Sequence, residues 1–212
     1  MCSSDLLGYV PNRAARSLMT RRTDSVAVVV LETAERLFGD PFFGQLMRGI
    51  SAELATGERQ LVVMTAPGEA DEARLERYLV SGHVDGAIVV GPHGRDPFPA
   101  RLARGRLPVV VNGRPIDGGD VSFVDSENRA GARLAVEHLV AIGRRTIATI
   151  HGTLDLASGL ERLDGFRDAL RAAGREPDAS LEAGGAFSPV TAAEAMRDLL
   201  DRRPDLDAVF VA

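Results

Sequence analysis

Short apolar runs alternate with amphipathic segments along this chain, and this alternation favours a parallel α/β sheet over other folds. Continuous apolar runs are typical of strands that are covered on both faces. Such strands are predicted at Val26–Leu31, Gln60–Thr65, Gly86–Val90 and Pro108–Asn112. Helical spacing of apolar residues predicts the intervening helices at Phe43–Ala55, Asp71–Ser81 and Phe98–Arg104.

A second series of elements follows a turn at Gly118–Asp120. It begins with a short strand over Val121–Val124. A loop is predicted further on, at Asp178–Gly185. The final segment, Asp205–Ala212, has the composition of a strand. Between these the sequence predicts helices at Ser126–Ile142, Ser158–Ala173 and Pro189–Asp201, and a strand at Thr146–His151.

Composition excludes several classes of protein. The 212 residues are 45% hydrophobic with a net charge of -5, so the chain as a whole is not a general nucleic-acid binder. All 25 basic residues are Arg, which we interpret as the mark of a GC-rich genome. The single Cys, Cys2, rules out an internal disulfide and suits a reducing cytoplasm. No apolar run approaches the ~20 residues of a membrane span, and the start lacks the pattern of a signal peptide.

Against this acidic background, the segment from Gly8 to Arg22 is basic. Pro11 suits a helix start and Asn12 can cap it. No acidic residue lies between Pro11 and Thr23, and this stretch contains four arginines, Arg13, Arg16, Arg21 and Arg22. Such a helix can approach phosphates, whereas a solvated basic linker is the alternative interpretation for an arbitrary charge run.

The string Tyr-x-Pro-Asn-x-x-Ala-Arg-Ser-Leu, at Tyr9–Leu18, resembles the hinge helix of the LacI family of bacterial transcription regulators. Further segments resemble the core of that family, at 121–128, 131–139, 143–148 and 162–166. The resemblance implies an α/β fold with a periplasmic-binding-protein-like core. This core would have two parallel-sheet subdomains, the second one truncated, preceded by a hinge helix.

The resemblance also implies a division of the chain. Residues 7–24 would be the end of a helix-turn-helix headpiece and the hinge helix, 25–124 the N-terminal core subdomain, and 125–212 part of the C-terminal one. Residues 1–6 are expected to be foreign, because Cys-Ser-Ser-Asp-Leu is the translation of a common sequencing adapter. A chain that stops at a strand is also expected to be cut at that end.

In the family, the hinge helices of a dimer enter the minor groove of DNA, where a Leu from each wedges a base step open. Leu18 occupies that position, and the resemblance places Asn12, Arg13, Ala15 and Arg16 beside it. Unstacking bases costs a few kcal/mol, which bending and phosphate contacts recover. These residues are therefore the predicted DNA contacts of the complete protein.

Effector contacts are implied at five positions of the core. Asp40-Pro41-Phe42-Phe43 resembles the family's Asn/Asp-Pro-Phe-Phe loop, whose aromatic rings line the pocket. Packing into the core is an equally favoured alternative for Phe42 and for Phe43. Asn112 matches a position that bonds ligand hydroxyls, although a turn at Asn112-Gly113 would also explain it.

The remaining two positions lie in the second half of the chain. Asp125 matches the family's Asp at the crossing between subdomains, with a helix N-cap as the alternative role. Arg162 matches the ligand-binding Arg, whose forked guanidinium can hold two hydroxyls or a carboxylate. A surface ion pair with Glu161 or Asp164 is the alternative for Arg162, and it would be worth only ~0–1 kcal/mol.

These features favour a cytoplasmic, sequence-specific transcriptional regulator, most simply a repressor. It would act as a homodimer on operator DNA under the control of a small effector such as a sugar, with no membrane association. The alternative is a periplasmic-type sugar-binding protein of a transport system. An enzyme is not favoured, because the sequence has no phosphate-binding glycine motif, nucleophile elbow or metal-ligand spacing. No cofactor and no metal are expected.

Overall fold

The structure is a computed structural model that describes residues 22–212. The predicted hinge contacts Asn12, Arg13, Ala15, Arg16 and Leu18 therefore lie outside the described residues. The chain divides into two compact units, and each of them is built from several chain segments. Unit 1 contains the described residues up to Gly91, together with Pro97–Asn112 and Asp120–Ser122. Unit 2 contains Pro92–Asp96, Gly113–Gly119 and Phe123–Ala212.

The sheet of unit 1 is built on parallel strands, as the apolar runs predict. Strands β1, β2, β3 and β4 occupy Ser25–Val30, Gln60–Thr65, Gly86–Val90 and Val109–Asn112. A short strand β5, Ser122–Val124, spans the boundary between the units. The order is β2-β1-β3-β4-β5, and β1 pairs in parallel with β2 and β3, as β3 does with β4. The carboxyl ends of β1, β2, β3 and β4 thus share one edge.

Helices cover both faces of this sheet because alternate residues of its strands point to opposite sides. The helices are α1 (Ala34–Gly39), α2 (Pro41–Thr56), α3 (Glu69–Tyr78, continued by a π-helical turn at Leu79–His83) and α4 (Phe98–Ala103). One core layer contains Ala27, Val29, Val89, Phe98 and Val111. The opposite layer contains Val28, Val30, Leu37, Phe43 and Val90.

Unit 2 repeats this plan around a smaller sheet. Its elements are α5 (Asn128–Ala141), β6 (Ile147–His151), α6 (Ala157–Ala172), β7 (Glu182–Gly184), α7 (Pro189–Arg202) and β8 (Ala208–Val211). The strand order is β7-β6-β8, with both pairings parallel. One core layer contains Val136, Leu163 and Phe166, whereas the other contains Ile150, Leu181 and Leu199. The predicted fold class, α/β with two parallel sheets, is confirmed.

Two elements differ from the prediction. The predicted loop at Asp178–Gly185 is wrong, because it contains a 3-10 turn, Ala179–Leu181, and strand β7. β7 is short and glycine-bearing, so its strand conformation depends on pairing with β6 rather than on local propensity. Helix α1 was not predicted, because six residues are too few to show a helical period. The proposed boundaries at 25–124 and 125–212 stay predictions.

Within the part of the chain that the structure describes, no helix combines the length and apolar character needed to cross a membrane.

Candidate functional site

In open parallel sheets, ligands bind beyond the carboxyl ends of the strands. In unit 1 the connection after β1 supplies Phe42 and Phe43 at the start of α2. The carboxylate of Asp40 accepts a hydrogen bond from the Phe42 backbone N–H at 2.9 Å, and Pro41 occupies the first turn, where its missing N–H costs nothing. This cap fixes the start of α2 and thereby the direction of both aromatic side chains.

The two phenylalanines have different surroundings. Phe43 is 3% exposed and packs in the core layer with Val28, Val30 and Val90. Phe42 is 51% exposed, and its ring meets that of Phe43 edge-on, with centroids 5.3 Å apart. Phe43 thus has a core position that supports Phe42, and Phe42 presents the accessible aromatic surface.

Asn112 ends β4 and lies level with Val90, the last residue of β3. Gly113, which follows it, has φ +95°, a left-handed conformation that glycine adopts without strain. The chain therefore turns directly after Asn112, as the Asn-Gly pair predicts. The side chain of Asn112 is partly exposed at the edge where ligands bind in such sheets.

Asp125, in unit 2, joins two chain segments. Its Oδ2 accepts a hydrogen bond from the Arg114 backbone N–H at 2.9 Å. Its Oδ1 accepts from the Ser126 N–H at 2.8 Å and from the Asn128 side-chain amide at 3.0 Å. Helix α5 begins at Asn128, so Asp125 does not occupy the N-cap position. Its carboxylate instead fixes the turn at Arg114 to the approach of α5.

Arg162 is connected to Asp125 through Asn128. The Arg162 Nε donates to the Asn128 Oδ1 at 2.9 Å, while the Asn128 amide donates to Asp125. Asn128 is buried, which makes these bonds hard to exchange for water. Within residues 22–212, Arg162 forms no ion pair with Glu161 or Asp164, the alternative considered above, and Glu161 pairs instead with Arg114 at 3.7 Å. We refer to Asp125, Asn128 and Arg162 as the polar relay.

Phe187 lies against this relay and was not identified from the sequence. The guanidinium carbon of Arg162 lies 5.8 Å from the centroid of the Phe187 ring, within the range of a cation–π contact. The ring packs on Gly152, directly after β6, where any Cβ would overlap it. The Gly184-Gly185 pair before it could have indicated a tight connection that directs an aromatic ring to the strand ends.

The backbone at Phe187 is strained. Ala186 has φ 49° and Phe187 has φ 54°, both in the left-handed region that non-glycine residues seldom occupy. Each such residue costs of order 1–3 kcal/mol, so the surrounding structure must enforce the conformation. Strain of this kind clusters at ligand sites, where a fixed side-chain position matters more than local stability.

Other features of the described residues do not add to this site. A cavity of about 520 Å³ in unit 1 is lined by Val26, Gly86, Pro108 and Val121, at the amino-terminal edge of the sheet. This edge is opposite to the one where ligands bind in parallel sheets. No group of His, Cys, Asp and Glu side chains within residues 22–212 has the geometry to hold a metal ion.

The fold defines a class of α/β domains built on two parallel sheets, and sequence comparison identifies the family. Residues 23–212 match the family described as periplasmic binding proteins and sugar binding domain of LacI family. This chain belongs to that family. The match covers the whole of both sheets.

Individual relatives are transcriptional regulators. The HTH-type transcriptional regulator CelR of Thermobifida fusca is 46% identical over 208 residues, which is 97% of this chain and 61% of the relative. The ribose operon repressor of Escherichia coli K12 is 30% identical over 211 residues, 96% of this chain and 61% of the relative. A solved transcriptional regulator CelR–cellobiose complex superimposes with a TM-score of 0.85 and 42% identity, covering 99% of this chain and 62% of that one. The chain thus spans about three fifths of the length of these relatives.

The arrangement in unit 2 is suited to a polyhydroxylated ligand. A guanidinium offers N–H donors in a fixed fork, and an aromatic ring offers an apolar face. A sugar ring presents hydroxyl edges and C–H faces, so it can use both groups together. In unit 1, Phe42 and Asn112 offer the same two kinds of surface.

Proposed function

We propose that this chain is the effector-binding core of a LacI-type transcriptional regulator, and that its effector is a sugar. The observation that carries the proposal is the Arg162 guanidinium, held by Asn128 and lying over the Phe187 ring. Asp125 and Asn128 hold Arg162 in one orientation, so little side-chain entropy is lost when a ligand binds. Phe42 and Asn112 are the contacts that we assign to unit 1.

Cellobiose is the sugar to test first. The solved CelR complex contains cellobiose and is 42% identical to this chain. A related core with this degree of similarity is expected to accept a related carbohydrate. The ribose operon repressor, at 30% identity, makes ribose the natural comparison ligand.

DNA binding belongs to the complete protein in this proposal. The hinge residues Asn12, Arg13, Ala15, Arg16 and Leu18 would contact the minor groove of an operator, in a cytoplasmic homodimer. The effector would shift the equilibrium of the core between two states, and the hinge would order on DNA in only one of them. The sugar then changes the affinity for operator DNA by some factor, and linkage requires that operator DNA change the affinity for the sugar by that same factor.

A sugar-binding protein of a transport system is the second candidate, since the family includes periplasmic binding proteins. The named relatives at 46% and 30% identity are transcriptional regulators, which favours regulation. They also give no support for an enzymatic role. We therefore propose neither catalysis nor transport for this chain.

Isothermal titration of the 212-residue chain with cellobiose, glucose and ribose tests effector binding. We expect saturable binding of cellobiose, and an absence of binding to all of these sugars at millimolar concentration would contradict the proposal. The complete protein encoded by the gene should protect an operator from nuclease, with protection altered by the bound sugar. Sugar binding without DNA protection at low salt would favour the transport alternative.

A further inference from the structure

The connection between β1 and α2 contains an additional helix, α1, Ala34–Gly39. Isolated helices of this length do not form in water, because ordering the first turn costs more free energy than its hydrogen bonds contribute. Tertiary contacts must therefore fix α1 at the carboxyl end of β1.

Three contacts fix α1. Leu37 is 6% exposed and packs in the core layer with Val28 and Val30. The Thr33 hydroxyl accepts a hydrogen bond from the Arg36 N–H at 3.3 Å and so caps the helix. The Arg36 guanidinium pairs with Glu32 at 2.7 Å, and Glu32 is itself buried.

Glu32 also ties α1 to the neighbouring strand. Its Cγ lies against Gly91, where an added Cβ would be 3.4 Å away, directly after the end of β3. Removing a carboxylate and a guanidinium from water is costly, so a buried ion pair is weak evidence for stability alone. At this place it holds α1 over the edge of the sheet where ligands bind.

With α1 fixed in this way, Phe38 is turned outward. It follows the buried Leu37 and is therefore about 100° further round the helix. Its side chain is 86% exposed, and Phe42, four residues later, is 51% exposed. The two accessible aromatic rings thus stand on one short connection, on either side of Asp40, which ends α1 and caps α2.

We propose that Phe38 is a specificity-determining residue that packs against the outer ring of an oligosaccharide effector, while Phe42 contacts the inner ring. This inference rests on the proposed function. The occupant is a pyranose rather than a protein, because Phe38 stands on the same connection as Phe42 and the related CelR complex contains a disaccharide. A monosaccharide would reach Phe42 and leave Phe38 uncovered.

The test compares cellobiose with glucose on variants of the 212-residue chain by isothermal titration. Phe38→Ala is expected to weaken cellobiose binding by about tenfold and to leave glucose binding within about twofold. Phe38→Tyr keeps the flat aromatic face and should retain cellobiose affinity, whereas Phe38→Leu keeps apolar volume without that face and should not. Val80→Ala is the matched control, because Val80 is another apolar side chain of unit 1 with high exposure, 57%.

The outcomes separate the two proposals. If the unmodified chain binds neither sugar, the proposed function fails and this inference fails with it. If it binds cellobiose and Phe38→Ala binds it equally well, only the inference is overturned. A change in sedimentation behaviour of Phe38→Ala with unchanged sugar affinity would also overturn it, since Phe38 would then lie between copies of the chain.

Discussion

The Nε of Arg162 donates a hydrogen bond of 2.9 Å to the side-chain oxygen of Asn128, a buried residue of a different helix. This bond sets the direction of the guanidinium, and the Asn128 amide is in turn oriented by Asp125. The effect of Asn128 on a ligand would therefore be indirect, through the position of Arg162. Such a role can be separated from direct contact by measuring binding and stability together.

Asn128→Ala is expected to weaken cellobiose binding by about tenfold, because Arg162 loses the acceptor that orients it. The free energy of unfolding should fall by only about 1–2 kcal/mol, the usual cost of losing buried hydrogen bonds. Titration calorimetry and urea denaturation measure the two quantities. Arg129→Ala is the control: this neighbour in α5 pairs with Asp168 at 2.6 Å, and its loss should leave sugar binding unchanged. Equal sugar affinity in both variants would contradict the positioning role.

Phe42 and Phe43 should respond oppositely to truncation. Phe43→Ala removes a core side chain that is 3% exposed, so we expect a loss of about 3–5 kcal/mol in the free energy of unfolding. Phe42→Ala should change stability by less than about 1 kcal/mol and should weaken sugar binding instead. Urea denaturation followed by circular dichroism, with titration of cellobiose, distinguishes them. Strong destabilisation by Phe42→Ala would show that Phe42 is also a core residue.

Gly165 is required for the packing of α5 on α6. A Cβ on Gly165 would overlap the carbonyl oxygen of Arg129, and it would also press against the Ala132 Cβ. Gly165→Ala should therefore destabilise the chain by about 1–3 kcal/mol, the usual cost of overpacking. Gly131→Ala, in α5, has open space around the new Cβ and should stabilise by about 0.5–1 kcal/mol. Thermal unfolding of the two variants in parallel should show shifts of opposite sign.

Because of Asp205, the stability of the fold should vary with pH in the acid range. Hydrogen bonds from Arg203 and the Thr146 hydroxyl lower the pKa of Asp205 from 3.8 to about 2. Because the pKa of Asp205 is lower in the folded state, its carboxylate stabilises the fold at every pH above the pKa that Asp205 has in the unfolded chain. That contribution is lost as the pH falls from about 4 to about 2. Asp205→Asn should therefore lose less stability over this interval than the unmodified chain.

Urea midpoints measured at several pH values in that range provide the comparison. Asp201→Asn is the matched control, since it removes the same charge from an exposed position in α7. An identical acid dependence in Asp205→Asn and in the unmodified chain would contradict the assignment.

The sheet could be predicted from the sequence because its strands are continuous apolar runs, as in Val26–Leu31 and Gly86–Val90. Strand β7 could not, because Glu182–Gly184 has no apolar or β-branched run and becomes a strand only beside β6. Helix α1 was missed for a similar reason, since it is held by the packing of Leu37 in the core layer and by Glu32, which lies against Gly91. Local sequence does not record contacts of that kind.

The residues of the candidate site also fall into those that the sequence predicted and those that depend on tertiary contacts. The resemblance gave effector roles to Arg162 and Asp125, whereas Asn128 was part of the matched segment 121–128 without a role. The structure shows that Asn128 joins the two, across 34 residues from Arg162. Phe187 was also missed, because its position depends on the strained backbone at Ala186 and on the space above Gly152. The assignments of Phe42, Phe43, Asn112, Asp125 and Arg162 as effector contacts remain predictions. The variants above test Phe42 and Phe43 directly, and Asn128→Ala tests Arg162 indirectly.

The division of unit 2 into separate chain segments limits how this protein can be dissected. A fragment beginning at Phe123 would lack Arg114, whose N–H donates to Asp125, and His93, whose Nδ1 lies 2.8 Å from the Asp155 carboxylate. No single cleavage can release unit 2 with these bonds intact. A proteolytic nick within Gly113–Gly119 would accordingly loosen unit 2, because the Arg114 bond to Asp125 would no longer be enforced by a continuous chain.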